Sequence, residues 1–400
     1  MSADVTATVH LKSGRDRSLQ RRHPWIFSGA IARVDGDPAS GATVRVVDGS
    51  GQALGVGAFS PTSQIRVRMW SFDANATIDA PFIARRITQA IDGRRRLGLL
   101  DPDGACRLIF SESDGLPGLV VDRYAGFLVC QFLSAGAERW RDAALDALES
   151  ALAPDGIFER SEASARRKEG LPSTRGALRG ETPPARLEIR IGGLRQLVDL
   201  AEGQKTGAYL DQRDNRVRVA RYAQSARVLD AFAYSGGFAL SCLQQGADEA
   251  TLIDSSGPAL AVAAEQAELN GLHQHCRFVE DDVGAALRKL RDRDARFDLI
   301  VLDPPKFVHT SQQVNTGSRA YKDINRLAFG LIEPGGVLAT FSCSGHVDAA
   351  LFQKIIAGAA VDAGRDVQIL ERLSQPADHP AALHVPEAEY LKGLILRVVG

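Results

Sequence analysis

The most constraining feature of this chain is the alternation of apolar runs with helical periodicity over residues 191–400. Parallel strands need long crossover connections, usually helices, so this alternation predicts a parallel sheet with helices on both faces. The predicted fold class of this segment is therefore α/β. The predicted strands are Val228–Leu229, Ala250–Ile253, Cys276–Val279, Leu299–Leu302, Val337–Phe341, Val367–Leu373 and Leu394–Val399, and the predicted helices are Gly237–Gln245, Pro258–Asn270, Val283–Asp292, Lys322–Leu331 and Val347–Ala363.

The turn after the first of these strands contains Tyr234, Ser235, Gly236 and Gly237. The glycines lack a Cβ and let a ligand approach the backbone, and the amino terminus of the next helix favours a carboxylate. The turn does not match G-x-G-x-x-G, so dinucleotide binding is disfavoured. Alternatively, the turn only connects the strand to the helix. The acids described next favour a ligand site over this alternative.

Acids follow successive predicted strands, at Asp230, Asp254, Asp282 and Asp303. Ligands of an open α/β sheet bind at the carboxyl ends of its strands. An acid about twenty residues beyond a glycine turn can accept hydrogen bonds from ribose hydroxyls, and a carboxylate at the third strand can accept from an adenine amino group. The set predicts a site for S-adenosylmethionine.

Two further motifs stand at strand ends. Residues 303–306 are Asp-Pro-Pro-Lys, and residues 341–345 are Phe-Ser-Cys-Ser-Gly. The prolines stiffen the first turn and fix its backbone carbonyls, and this motif beside a cofactor site is typical of methyltransferases acting on nitrogen or on a nucleobase. We expect Asp303 to contact the cofactor site and the polar edge of a base extruded from its stack, with Lys306 contacting nucleic acid.

Cys343 is the predicted nucleophile. A thiolate can add to C6 of a pyrimidine, which makes C5 nucleophilic enough to accept a methyl group. The alternative is a buried inert thiol, which is common for cysteine and which we favour for the other four residues of this type. Wide spacing without C-x-x-C argues against a disulfide framework and against zinc, so no metal is expected. The other four are Cys106, Cys130, Cys242 and Cys276.

Asp211 and Gln212 precede a helix rich in arginine. Both side chains could face the cofactor, with Tyr209 beside them. Alternatively, Asp211 caps the helix that follows. The sequence supports the two interpretations about equally.

The first 190 residues have a different pattern. Short alternating strands in residues 1–75 predict a small β-barrel, and a helix from Ala80 to about Leu99 followed by strands predicts a small central α+β domain over residues 76–190. Residues 162–184 are rich in Arg, Gly, Pro and Thr, which predicts a mobile basic loop and a boundary. The predicted barrel strands are Val5–Leu11, Thr43–Val47, Leu54–Phe59 and Ile65–Trp70.

Charge and hydropathy limit the classes of function. The net charge is −1, with 44% hydrophobic and 24% charged residues, as in an ordinary globular protein. Local basic clusters can nevertheless bind phosphate. Residues 1–11 lack the features of a signal peptide and no apolar run spans a bilayer, so no membrane association and a cytoplasmic location are expected. The basic run predicted to contact RNA contains Lys12, Arg15, Arg17, Arg21 and Arg22.

Long motifs make the chain resemble the RlmI family of large-subunit ribosomal RNA methyltransferases, which form 5-methylcytosine. The resemblance implies an amino-terminal PUA domain, a central domain and a class I, Rossmann-like methyltransferase domain, with boundaries at residues 1–75, 76–190 and 191–400. It also implies S-adenosylmethionine as cofactor, ribosomal RNA as partner and Cys343 as nucleophile. The matching stretches are residues 23–27, 113–123, 167–170, 205–214, 234–238, 303–307, 321–325, 341–345, 377–380 and 390–393.

Two positions depart from what is usual. Related cytosine-C5 enzymes carry a second cysteine in the Asp303 motif, where this chain has Pro304 and Pro305, so the group that takes the C5 proton is unassigned. Ser235 stands where the RlmI family often has a threonine, and it keeps the hydroxyl group. A guanine-N methyltransferase of the same fold, or an RNA-binding protein with an inactive methyltransferase domain, are the alternatives. The sequence leaves open the target nucleotide, naked RNA or assembled subunit as substrate, and a homodimer.

Overall fold

The chain divides into two compact units in the computed structural model, which describes residues 5, 7–162, 164–203 and 206–399. The first unit contains Met1–Ile189, Val198–Leu210 and Ala377–Ala388, and the second contains Arg190–Leu197, Asp211–Pro376 and Glu389–Gly400.

A six-stranded sheet, curled into a half-barrel, opens the first unit. Its strand order is β2-β6-β5-β4-β1-β3. The predicted strand at Val5–Leu11 is confirmed over Thr8–Leu11, and Thr6 lies outside the described residues. The elements are β1 Thr8–Leu11, α1 Arg17–Gln20, β2 Trp25–Phe27, β3 Ile31–Asp35, β4 Thr43–Val47, β5 Ala53–Phe59 and β6 Ile65–Ser71.

A five-stranded sheet with order β11-β10-β9-β8-β7 follows in the same unit. The predicted helix at Ala80 is confirmed: Asp79 caps it, and Ile83, Ile87 and Ile91 are buried at helical spacing. The elements are α2 Ala80–Arg96, β7 Ala105–Phe110, β8 Leu119–Tyr124, β9 Phe127–Phe132, α3 Ala135–Arg139, α4 Arg141–Leu152, β10 Gly156–Ser161, α5 Ser164–Lys168 and β11 Thr174–Gly180, after which β12 Leu187–Ile191 and β13 Leu194–Val198 form a two-stranded sheet.

The prediction of a loop over residues 162–184 was wrong. The stretch contains α5 and β11, an edge strand that pairs antiparallel with β10. Arg166 is fully buried and donates to the Phe132 carbonyl at 2.6 Å and to Glu138 at 2.6 Å. The composition of this stretch suggested a loop, but an edge strand tolerates glycine, and Arg166 is a buried structural residue rather than a solvated one.

The second unit is a seven-stranded sheet of order β16-β15-β14-β17-β18-β20-β19. The predicted parallel arrangement is confirmed except at β20, which runs antiparallel to both of its neighbours. The elements are α6 Arg213–Ala220, β14 Arg227–Ala231, α7 Gly237–Gln244, β15 Glu249–Asp254, α8 Gly257–Leu269, β16 Cys276–Glu280, α9 Val283–Asp292, β17 Phe297–Leu302, α10 Val314–Leu331, β18 Ile332–Ser342, α11 Ala349–Asp362, β19 Val367–Ser374 and β20 Lys392–Val398.

Two apolar layers enclose this sheet, as predicted. Side chains of α9, α10 and α11 pack with strand residues such as Leu229 and Ile300 on one face. Side chains of α6, α7 and α8 pack with residues such as Val228 and Leu299 on the other. Since adjacent residues of β14 and β17 belong to opposite layers, both faces of the central strands are buried, which is why these strands are continuous apolar runs. The carboxyl ends of β14, β15, β17 and β18 consequently share one edge.

A buried ion pair stabilises the first unit. The Arg107 guanidinium donates to both oxygens of Asp122, each at 2.8 Å, and the Thr206 hydroxyl donates to the same carboxylate at 2.6 Å. Asp122 is fully buried, so its charge depends on these donors. The Tyr124 hydroxyl extends the network to Thr206 and to the Ala208 backbone.

We expect Arg107→Ala to destabilise the protein by about 3–5 kcal/mol, because removing one partner leaves a buried charge uncompensated. The midpoint of thermal unfolding measures the effect. Arg33→Ala is the matched control, since its pair with Asp35 is largely exposed and should contribute little. Equal shifts for the two variants would contradict the assigned importance of the buried pair.

Candidate functional site

The turn between β14 and α7 has an unusual backbone. Phe232 and Tyr234 have positive φ angles of 66° and 48°, and Gly236 has a φ of 78°. Positive φ is rare outside glycine, and such strain clusters at functional sites. A Cβ at Gly236 would lie 2.9 Å from a Leu252 methyl carbon, so only glycine fits there without rearrangement. The turn is therefore a specialised structure rather than an ordinary connection.

Asp230 lies beneath this turn, fully buried at the end of β14. Its Oδ2 accepts a hydrogen bond from the Ala239 backbone at 3.0 Å, whereas Oδ1 has no hydrogen-bond partner among the described residues. Burial raises the pKa of the Asp230 carboxyl to about 7, and the nearby Asp303 adds to the rise. The site thus contains a buried acceptor atom suited to a donor from a ligand.

Asp254 ends β15 and is held by backbone donors. Tyr234 donates to its Oδ2 at 2.8 Å, and Ser256 donates to its Oδ1 at 2.9 Å. The carbonyl of Ser235 is fixed in turn by the Gln266 amide at 2.8 Å. These bonds orient the carboxylate and couple it to the glycine turn.

Asp282 has a visible structural role. It is exposed, and its Oδ1 accepts from the Ala285 backbone at 2.9 Å as the cap of α9. It follows the end of β16 by two residues, in agreement with the predicted strand order.

Arg216, a residue that the sequence interpretation did not single out, lies at the centre of the site. It is buried on α6, and a Cβ added to Gly237 would fall 2.7 Å from its Nε and Cζ. Burial lowers the pKa of its guanidinium, whereas Asp303, Asp211 and Asp230 act in the opposite direction. The sequence feature that could have indicated Arg216 is the arginine-rich run that contains it. Only the packing of α6 on α7 distinguishes it from the other arginines of that run.

Asp211 and Gln212 are both buried beside it. The Tyr390 hydroxyl donates to Asp211 Oδ2 at 2.7 Å, and the Asn215 amide donates to Gln212 Oε1 at 2.7 Å. Gln212, not Asp211, is the N-cap residue of α6, and its side chain makes no capping bond. The alternative in which Asp211 caps the helix was therefore wrong.

Asp303 and Cys343 follow adjacent parallel strands, in which Leu302 of β17 pairs with Thr340 of β18. Both are partly exposed, as a substrate contact requires. Cys106, Cys130 and Cys242 are buried. Cys276 is partly exposed like Cys343, but it begins β16 and so lies at the opposite end of its strand, and burial raises the pKa of its thiol to about 11.

The two residues that flank Cys343 are buried and anchored. The Ser342 hydroxyl donates to the Tyr321 hydroxyl at 3.0 Å, and the Ser344 hydroxyl lies 3.0 Å from the same oxygen. Ser344 Oγ also accepts from the Val308 backbone at 3.3 Å, which ties this loop to the one after Asp303. The cysteine is therefore held on a loop with little freedom.

Lys392 is a second residue that the sequence interpretation missed. It lies opposite Ser342 in the β18–β20 pair, and its ammonium donates to the carbonyls of Ser344 and Val347, at 2.7 and 2.5 Å. Burial lowers the pKa of Lys392 to about 8, and the interaction with Cys343 opposes that fall. The sequence feature that could have indicated Lys392 is the stretch 390–393, which is one of those that carry the family resemblance.

The basic run of the first unit is exposed throughout. Lys12 donates to the Gly29 carbonyl at 2.9 Å, and the Arg22 guanidinium lies 5.8 Å from the centre of the Phe72 ring. Arg15, Arg17 and Arg21 are exposed around the short helix α1, and Lys306 is exposed in the second unit. No helix in the described part of the chain is long and apolar enough to cross a membrane.

Comparison with known proteins agrees with this geometry. A family model of PUA-like domains matches residues 9–72, and a model of S-adenosylmethionine-dependent methyltransferases matches residues 167–397. Curated relatives named ribosomal RNA large subunit methyltransferase I are 51% identical in Klebsiella pneumoniae (strain 342), over 100% of both chains, and 50% identical in Escherichia coli (strain SMS-3-5 / SECEC), over 99% of this chain and 100% of the relative.

Solved structures show the same fold at low identity. A methyltransferase structure from Streptococcus mutans is 20% identical, with a TM-score of 0.83 over 98% of this chain and 100% of that one. SMU.776, in complex with S-adenosylhomocysteine, is 20% identical with a TM-score of 0.84 and the same coverage. The full-length match to curated relatives and the match of the methyltransferase model to more than half of the chain show that this protein belongs to the ribosomal RNA large subunit methyltransferase I family of S-adenosylmethionine-dependent enzymes.

Proposed function

We propose that this enzyme methylates carbon five of a cytosine in large-subunit ribosomal RNA, with Cys343 as the nucleophile. The observation that carries the proposal is a partly exposed cysteine on an anchored loop, next to the Asp303 loop at the carboxyl edge of the sheet. A nitrogen methyltransferase needs no thiol at this place. The names of the curated relatives supply the substrate class.

The residues present fit S-adenosylmethionine. Asp230 Oδ1 and Gln212 Nε2 are buried polar atoms without a hydrogen-bond partner among the described residues, so an acceptor and a donor remain for a ligand with charged ends. The glycine turn permits close backbone approach, and Asp254 stands fixed at the neighbouring strand, where ribose hydroxyls are bound in such folds. When bound, the cofactor supplies a methyl group on a sulfonium sulfur.

In the proposed mechanism the Cys343 thiolate forms a bond to C6 of the cytosine. This addition would make C5 nucleophilic, so that C5 could accept the methyl group that the bound cofactor would supply, with the electron pair of the methyl–sulfur bond remaining on the cofactor's sulfur. Loss of the C5 proton and departure of Cys343 restore the double bond between C5 and C6. Asp303 would hydrogen-bond the polar edge of the flipped base. The group that takes the C5 proton stays unassigned.

Lys392 and Tyr321 would position the nucleophile. Their bonds to the Ser342 and Ser344 segment fix the loop, and the Lys392 ammonium is a nearby positive charge that favours a thiolate. Preorganised groups of this kind reduce the cost of aligning the reacting atoms.

The PUA-like domain would hold the RNA. Its exposed run from Lys12 to Arg22 and Lys306 of the second unit would make phosphate contacts that do not depend on base sequence. We also propose the three-part division at residues 75 and 190. A homodimer and a cytoplasmic location stay predictions of the sequence.

Cys343→Ala should abolish methylation of ribosomal RNA, because no thiol remains to activate C5, while cofactor binding measured by calorimetry stays unchanged. Cys276→Ala is the matched control, since it removes a half-buried thiol from β16 and should retain turnover. Mass mapping of modified nucleotides measures the product. Retained turnover by Cys343→Ala would contradict covalent catalysis and favour nitrogen methylation.

Cofactor affinity should fall as the pH drops through 7. The ammonium of a bound methionine moiety favours the Asp230 carboxylate, whereas the raised pKa of about 7 means that the free protein holds a proton there at lower pH. Binding below pH 7 must then release this proton, so affinity should be about tenfold weaker at pH 6 than at pH 8.

Calorimetry at the two pH values, with Asp230→Asn as control for the cofactor's own titration, isolates the effect. The variant cannot exchange this proton and should lose the extra pH dependence. An identical pH profile for both proteins would show that Asp230 does not titrate on binding.

A further inference from the structure

Three stretches that carry the family resemblance have no part in the proposed chemistry, yet they meet at one pocket in the first unit. Trp25 and Phe27 come from residues 23–27, Gly118 from 113–123, and Lys168 and Glu169 from 167–170. The pocket has a volume of about 710 Å³, within the range of about 300–1,000 Å³ for small-ligand sites. Its lining is therefore a candidate for a second binding function.

The aromatic wall of the pocket comes from β2. Ile26 faces the core, so the alternation of the strand places Trp25 and Phe27 together on the opposite face. Trp25 packs edge-on against Phe27, with ring centres 6.4 Å apart. Phe27 is 50% exposed, which is unusual for a large apolar side chain on a strand and leaves a ring surface available for stacking.

The polar part of the pocket lining consists of side chains that form hydrogen bonds and ion pairs with one another. The Trp25 indole donates to Glu112 at 2.8 Å, and the Arg68 guanidinium lies between Glu169, at 2.6 Å, and Glu112, at 3.7 Å. The Ala135 backbone also donates to Glu169, at 3.2 Å. These bonds fix the shape of the lining before any ligand arrives, which reduces the entropy lost on binding.

The pocket lining has no net charge, so its interior suits a neutral base rather than a phosphate group. Arg68 and Lys168 balance Glu112 and Glu169, so the lining is neutral overall. Lys168 is exposed at the end of α5 and makes no ion pair with any described residue. A neutral aromatic pocket beside one available ammonium matches one nucleotide, with its base inside and its phosphate outside.

We propose that this pocket captures one unpaired nucleotide of the RNA substrate, with its base stacked on Phe27 and its phosphate beside Lys168. The inference rests on the proposed function in that the substrate is RNA. It adds a contact in the unit that does not contain Cys343, and it makes an unpaired base part of substrate selection. Stacking accepts any base, whereas Glu112 and Arg68 offer an acceptor and a donor to its polar edge.

The test measures binding of an in vitro transcript of large-subunit ribosomal RNA to the full chain, without cofactor, over a range of salt concentrations. Phe27→Ala should weaken binding about 10-fold, as expected for loss of one stacked base, with an unchanged salt slope. Phe27→Tyr should retain binding within about 2-fold because the ring is kept. Lys168→Ala should reduce the salt slope by about one.

Val361→Ala is the matched control, since Val361 is 77% exposed on α11 in the other unit and should bind RNA like the unmodified protein. Calorimetry with S-adenosylmethionine and thermal unfolding confirm that each variant is folded. Equal RNA affinity of Phe27→Ala and Val361→Ala would overturn the proposal. The proposal would also be overturned if Phe27→Ala bound the transcript normally but lost binding only to assembled ribosomal particles, since that result would indicate a protein partner for this pocket. No RNA binding by the unmodified protein would instead contradict the proposed function.

Discussion

The Arg216 guanidinium is the charge on which the cofactor site depends. It is buried among Asp211, Asp230 and Asp303, which come from three separate segments. Asp211 and Asp230 are buried and Asp303 is partly exposed; carboxylates this close together repel one another, and the two buried ones also lose hydration, so the site requires a cation in the same place. The guanidinium also lies against Gly237, whose missing side chain makes this position possible. The charge balance of the site therefore depends on the glycine turn, because a side chain at Gly237 would displace the Arg216 guanidinium.

The nucleophile is held in a different way. The loop that carries Cys343 is fixed by neutral hydroxyls of Ser342, Ser344 and Tyr321 and by the Lys392 ammonium on backbone carbonyls. This division separates two requirements. Cofactor binding needs strong local charge, whereas a thiolate that must attack and later leave is better placed among groups that position it without locking it in a strong ion pair.

Much of this arrangement could be predicted from sequence because it follows from strand ends. Asp230, Asp254, Asp303 and Cys343 each end an apolar run, and parallel register brings such ends to one edge. Arg216 and Lys392 could not be found this way, since their importance arises from the packing of α6 on α7 and from the antiparallel return of β20.

Local composition was a poorer guide in the first unit. Residues 162–184 have the residues of a loop, but backbone pairing with β10 made part of them an edge strand. The short strands β2 and β3 were not predicted, because β2 has only three residues and because the five residues of β3 do not alternate between apolar and polar side chains. The aromatic pocket depends on β2, so its existence could be seen only after the sheet was known.

Covalent attack by Cys343 is the central claim, and RNA containing 5-fluorocytidine tests it most directly. Fluorine cannot leave C5 as a proton does, so the enzyme should remain bonded to C6 after methyl transfer. Incubation with S-adenosylmethionine, denaturing electrophoresis and peptide mass spectrometry should reveal a methylated nucleotide attached to the peptide that contains Cys343. A complete absence of adduct under conditions in which normal RNA is methylated, or an adduct on another cysteine, would contradict the account.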